Sequence, residues 1–212
     1  QDVIRLLERG LAKKVLEAEN IQLREALKLY ELSEHISNSL SVERIYDLLI
    51  DTAREELNAD GVGLWTKDPL TGQFEGQRRW MRSDLDSSHL EIMSSIHVDR
   101  LYEEHDGGNH IFHGVDAREM VSASGESLFS LLSVPLRIKN EVIGYFAAFA
   151  FERHVVFSEG KRKMLAVLCG RASAAIENAR LYGDLKDTFK QTIQAFANLL
   201  EDKDPLAAMV RY

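Results

Sequence analysis

Apolar residues recur along this chain in two rhythms, threes and fours toward both ends and alternating or unbroken runs between them. Leu16, Asn20, Leu23, Leu27 and Tyr30 are spaced alternately by four and three, in a stretch without proline whose only glycine is Gly10. Lys, Arg and Glu fill the other faces, so the stretch predicts a helix with a short heptad seam. Asn20 stands at a core position, where a single buried amide favours a parallel two-stranded pair. The competing arrangement lays the helix along its own domain; dimerisation is preferred here.

"SVERIYDLLIDTAREELNADG" predicts a second helix, with Ser41 as its cap, Val42, Ile45, Leu49 and Ala53 as its apolar stripe, and Asp60-Gly61 ending it. The period then changes. "GVGLWTKDPLTGQFEGQRRWM" predicts two strands around a turn containing Pro69 and Gly72. Across 82–127, Leu90, Met93, Ile96 and Leu101 suggest helical pieces, while "EEHDGGNH" and "VSASGES" are expected to be loops. "SLLSVPLRI" and "EVIGYFAAFAF" predict two strands joined through Lys139-Asn140. The second is apolar on both faces and should be covered on both.

Residues 159 to about 203 predict one helix capped by Ser158. Leu165, Leu168, Ala172, Ala175, Ala179 and Tyr182 share a face, and Leu185, Phe189, Phe196 and Leu199 keep the four-three alternation beyond them. At ~1.5 Å per residue such a helix runs roughly 65 Å, farther than a domain of this size is wide. Its second half is expected to leave the domain and pack on its twin in a homodimer.

Composition narrows the function. The 212 residues are 45% hydrophobic and 28% charged with only 3 Pro, a globular balance. A net charge of -8 without Lys/Arg runs argues against nucleic acid and anionic membrane as partners. No apolar run approaches the roughly 20 residues of a membrane span. The single cysteine, Cys169, excludes an intrachain disulfide and a multi-cysteine metal site, so a reducing, cytoplasmic location is expected. Beginning at Gln1 and ending just past Asp204-Pro205, the chain reads as a piece of something longer.

In this order, helix, two strands, a variable middle, two strands with Val134-Pro135-Leu136 and Val142-Ile143-Gly144, and "FSEGKRKMLAVLCGRASAAIENARLY" resemble a GAF domain over roughly 41–182. The resemblance implies an α+β fold, an antiparallel sheet flanked by helices, with long coiled-coil-type signalling helices at both ends. Pro135 fits where a strand N–H is not needed, and Gly144 where the backbone bends or approaches closely. "TFKQTIQAFANLLEDKDP" is similar to the lead-in helix of an HD-GYP domain, a metal-dependent cyclic-di-nucleotide phosphodiesterase family. That family's early Gly-His-Ser is replaced here by Leu206-Ala207-Ala208-Met209, and its catalytic His-Asp pair would lie beyond this chain. The implied organisation is an N-terminal helix (1–40), a sensory domain (41–182), and a linker helix entering an output domain (183–212).

Candidate chemistry is sparse. His105, His110 and His113 with Asp106 and Asp116 carry metal-binding side chains, but their spacing suits no helix-borne pair and surface or packing roles are expected. Cys169 lies near the apolar stripe of the last helix and is expected to be buried. Ser122, Ser124 and Ser127 with Glu126 are placed to hydrogen-bond a polar ligand or to make turns. Trp65 and Trp80 would stack on a planar ligand or fill the core, and Arg78 and Arg79 beside them would meet a phosphate or solvent. No Walker or dinucleotide Gly-rich loop is present, nor is the cyclic-nucleotide GAF signature with Asn-Lys-Phe-Asp-Glu.

The expectation is therefore a non-catalytic sensor without a resident metal. Trp65, Arg79, Trp80, Ser122, Ser124 and Ser127 face a small ligand of unknown identity. Leu16, Asn20, Leu23, Leu27 and Tyr30, with Tyr182, Leu185, Phe189 and Phe196, would build the dimer. Two alternatives remain, a ligand-free dimerisation scaffold whose pocket is filled by Trp65, Trp80, Phe112 and Phe129, and a metal or redox enzyme using the histidine loop.

Overall fold

The computed structural model describes residues 36, 39, 41–103, 108–122, 127–153 and 155–203, with side chains in the last helix described through Asn198. The seam residues Leu16, Asn20, Leu23, Leu27 and Tyr30 lie outside the described residues, as do Ser124, His105, Asp106 and the side chain of Leu199.

The first described helix, α1 (Val42–Leu57), begins where the Ser41 hydroxyl accepts the Arg44 N–H at 3.4 Å. It ends where Asn58 turns left-handed at φ 50°, a conformation asparagine tolerates better than most residues. Ile45, Leu49 and Ala53 are fully buried, as their spacing predicts. The hairpin β1 (Gly61–Lys67) and β2 (Phe74–Met81) follows. Its turn is held by Asp68, whose Oδ1 accepts the N–H groups of Leu70 at 2.7 Å and Thr71 at 2.8 Å.

Three short helices, α2 (Ser87–Ser94), α3 (Val98–Glu103) and α4 (Val115–Glu119), surround the edge strand β3 (His110–His113). The sequence reading has neither β3 nor α4. With four and five residues, neither is long enough to establish a period. The strands β4 (Ser130–Ile138) and β5 (Glu141–Ala150) are joined through Lys139, at φ 56°, and Asn140. The helix α5 (Glu159–Lys203) closes the fold, and at its start the Ser158 hydroxyl accepts the Lys161 N–H at 3.3 Å.

The five strands form one antiparallel sheet in the order β2-β1-β5-β4-β3. Because side chains alternate across a strand, β5 feeds two cores. Phe146, Ala148 and Ala150 join Leu132, Val134, Val62 and Leu64 beneath α1 and α5. Tyr145, Ala147 and Phe149 join Leu131, Trp65 and Phe112 beneath α2, α3 and α4. The two-sided covering that the sequence of β5 predicts is therefore met.

Gly144 answers a specific need at the centre of the sheet. A Cβ there would stand 2.4 Å from the Trp65 carbonyl oxygen and 3.2 Å from Thr66 Cα. The first half of α5 packs on β4 and α1 through Leu165, Leu168, Cys169, Ala172, Ala175, Ile176 and Ala179. Beyond Ala179, the described large apolar side chains Leu181, Tyr182, Leu185, Phe189, Ile193 and Phe196 are all exposed.

Candidate functional site

The sheet face beneath α2, α3 and α4 carries the candidate site. Its rows can be read across all five strands. Arg79, Gly63, Ala147, Ser133 and His110 stand side by side in register. The row before it runs Met81, Gly61, Phe149, Leu131 and Phe112, and on the other side stand Gly76, Trp65, Tyr145 and Pro135. The middle row thus has small side chains at its centre, between two rows of large ones. Trp65 folds back across one end of it, for a Cβ on Gly63 would meet the indole at 2.4 Å. The Trp65 ring is tilted against Phe149, with centroids 6.3 Å apart, and Phe149 stacks on Phe151 at 6.3 Å.

Two hydroxyls interrupt this apolar face. Ser133 and Tyr145 are buried, and among the described residues neither Ser133 Oγ nor Tyr145 OH has a hydrogen-bond partner. Burial pushes the Tyr145 phenol up to about 12, with Arg137 drawing it back slightly. Its ring meets Phe74 edge-on at 5.6 Å, Phe74 meets Tyr102 at 6.3 Å, and Lys67 Nζ sits 5.1 Å above the Tyr102 ring. A chain of aromatic rings therefore leads from the buried phenol to the half-exposed Tyr102.

The walls are fixed by two carboxylates. Asp60 is buried; its Oδ2 accepts the N–H groups of Phe151 at 2.7 Å and Glu152 at 3.1 Å, and its Oδ1 accepts from Arg82 at 2.6 Å. Arg82 also bonds Asp84 and Glu152, and these carboxylates raise its already high pKa further. Asp86 caps α2, accepting the N–H groups of Ser88 at 3.0 Å and His89 at 3.4 Å and contacting His89 Nδ1 at 2.7 Å. Hydrogen bonds from the Ser88 and His89 side chains hold its carboxyl down at about 2.

That depression fixes a pH dependence. With the folded value below the unfolded one, the cap contributes fully above about pH 4 and is lost as pH falls toward 2. The Ser88 and His89 amide resonances are expected to move together over that window; amides that stay put to pH 2 would show that Asp86 is not their acceptor.

The sequence-predicted residues separate on the structure. Trp65 and Arg79 belong to this face, Arg79 bonding the Ser94 hydroxyl of α2. Trp80 does not. It packs on the α1 side, with the Arg54 guanidinium 5.8 Å above its ring, so the two tryptophans cannot enclose one planar ligand. Arg78, on the same side as Trp80, pairs with Asp47 of α1 at 2.7 Å. Ser122 and Ser127 are exposed, and Ser122 Oγ lies 3.0 Å from His97 Nε2. Ser133 and Tyr145 escape the sequence reading. Their signal is that each is a hydroxyl in the middle of a largely apolar strand, Tyr145 the one hydroxyl of β5 and Ser133 one of two in β4, where Ser130 instead donates to the Phe112 carbonyl.

Among the described residues, no group of three His, Cys, Asp or Glu side chains is placed to hold a metal. Cys169 is wholly buried, which pushes its thiol far above the usual range. No described helix is long and apolar enough to cross a membrane. A cleft of about 480 Å³ lies at the hairpin tips between Lys67, Leu70, Glu141, Val142 and Arg180, the last on α5 just where burial ends.

Solved structures share this architecture. The GAF domain of a phosphoenolpyruvate-protein phosphotransferase from Acinetobacter aligns at a TM-score of 0.58 with 18% identity, covering 76% of this chain and 96% of that one. A GAF domain/HD domain protein from Geobacter sulfurreducens aligns at 0.53 with 14% identity, covering 67% and 96%. The GAF domain of a phosphoenolpyruvate-protein phosphotransferase from Coxiella burnetii aligns at 0.58 with 18% identity, covering 74% and 94%. No curated protein sequence matches. The GAF domain family model matches residues 41–176. That span is more than half of the chain, which therefore belongs to the GAF domain family, a family of regulatory sensor modules found in signalling proteins.

Proposed function

We propose that this chain is the sensory unit of a larger signalling protein. A small molecule held between the sheet and the 82–127 segment would favour one arrangement of a dimeric helix pair over another. The output domain it controls would be a cyclic-di-nucleotide phosphodiesterase. Only a difference in affinity for the two arrangements can drive such a switch.

One observation carries this reading. In α5 a buried half, ending at Ala179, is continuous with a half whose Tyr182, Leu185, Phe189 and Phe196 are exposed at heptad spacing. A shift of the sheet beneath the first half thus becomes a shift of the second. The seam of Leu16, Asn20, Leu23, Leu27 and Tyr30 would pair in parallel in the same dimer. Support for the output comes from the Geobacter relative, which joins a GAF domain to an HD domain, and from the "LLEDKDP" ending. The chain itself does no catalysis in this reading, and it works in the cytoplasm without nucleic acid or membrane as a direct partner.

A second reading has its own support. Trp65 and Phe112 are buried in the distal core, so the same fold would serve as a ligand-free dimerisation scaffold. Native mass spectrometry of freshly purified protein separates the two, since a dimer carrying a co-purified small mass is expected of a sensor and a bare dimer of a scaffold. Leu185→Glu with Phe189→Glu should convert the dimer to a folded monomer, because both side chains are about two-thirds exposed (67% and 65%) and contribute little to the domain core. An unchanged dimer mass in that variant would remove α5 from the interface.

A further inference from the structure

The two buried hydroxyls say what kind of molecule the sensor takes. This step rests on the sensor reading above. We propose that Ser133 and Tyr145 are the polar contacts of the site, and that its ligand is a small, flat, uncharged molecule carrying an amide whose carbonyl and N–H answer the two hydroxyls.

Pro135 is the register partner of Tyr145, and Ser133 lies two residues before Pro135 on the same face. The two positions are diagonal neighbours, with Cα atoms about 7 Å apart. A buried hydroxyl without a partner destabilises the protein that carries it. Two of them, diagonal neighbours on one sheet face beside the small side chain of Ala147, are better explained by a ligand than by packing. The lining limits the ligand's charge. The buried residues of this core are apolar or carry neutral groups, from Trp65 and Leu131 to Tyr145 and Phe149. Asp60 is buried beyond them beside Gly61, where Arg82 already pairs with it. An ion without a counter-charge in such surroundings is strongly disfavoured. The cations at the rim, Lys67, Arg79 and Arg137, and the His110 imidazole beside Ser133 are partly or fully exposed. The rings of Trp65 and Phe74 offer flat surface, and each hydroxyl both donates and accepts, which an amide matches and a purely aromatic or purely anionic molecule does not.

The test uses this protein after exchange through a denaturing wash, with benzamide as the amide probe and benzoate as its charged counterpart, read by thermal unfolding. Ser133→Ala and Tyr145→Phe are expected to raise the Tm of the unliganded protein by about 3 °C each, because an unpartnered hydroxyl is removed. A fall of similar size in either variant would show that the hydroxyl is satisfied within the fold and overturn the assignment. Benzamide at millimolar concentration should raise the wild-type Tm, should do so less in either variant, and should exceed benzoate. Equal shifts in wild type and variants, a larger benzoate effect or no wild-type shift would each overturn the proposed chemistry. The sensor reading is judged separately by the mass that co-purifies with untreated protein: if that mass is present while benzamide fails, the ligand class is wrong and the sensor stands.

Discussion

Asp60→Ala is expected to destabilise the domain by about 3 kcal/mol, read as a lower urea midpoint at unchanged m-value. The carboxylate accepts hydrogen bonds from two main-chain N–H groups, of Phe151 and Glu152, just after β5. Alanine leaves both without that acceptor, and the Phe151 bond is buried. Arg82 loses one of three carboxylate partners, but it is about one-third exposed (32%) and keeps Asp84 and Glu152, so its share of the loss is small. Asp60→Asn should fall between, since one amide oxygen can serve the two N–H groups but not Arg82 as well. A midpoint for Asp60→Ala within experimental error of wild type would mean that the strand end is held by the backbone bonds Asp60 N–H to Phe149 and Arg82 N–H to Asp60 alone.

The wider lesson concerns which parts of such a fold are written locally. The elements with many repeats of their own period were legible. The α1 stripe of Ile45, Leu49 and Ala53, the Lys139-Asn140 turn and the 45-residue α5 all lie where the pattern of apolar positions places them. The edge strand β3 was not, because four residues containing two histidines acquire strand character only from pairing with β4. The site was half legible for a sharper reason. Leu64 pairs with Arg78 and Trp65 with Gly76, so Gln77 is an extra residue in β2. Without that bulge Trp80 would share a face with Trp65, as simple alternation implies; with it, Trp80 crosses to the α1 side. Such a bulge depends on pairing with the partner strand, and its one local sign in β2 is Gly76 beside it. Ser133 and Tyr145 were hidden differently, since a hydroxyl's lack of a partner is a property of its surroundings and not of its place in the sequence.

Gly144→Val should be the most damaging single change in the sheet, with a loss on the order of 4 kcal/mol and a matching drop in soluble yield. Crowding in a core is usually relieved by rotating a neighbouring side chain, and Gly61 and Gly63 illustrate that milder case. A Cβ at either would strike the side chain of Met93 or Trp65. At Gly144 the obstacle is the main chain of β1, the Trp65 carbonyl at 2.4 Å, and it can move only if β1 parts from β5. That pairing sits in the middle of the five-strand order and carries both cores. Opening it would loosen Trp65 and Tyr145 on one side and Thr66 beneath α1 on the other. Gly144→Ala should already cost most of this, because the first carbon makes the clash, whereas Gly63→Ala should cost clearly less because the indole can tilt. If Gly63→Ala proved the more damaging of the two in urea unfolding, the close approach of β1 to β5 would not be what demands glycine at 144.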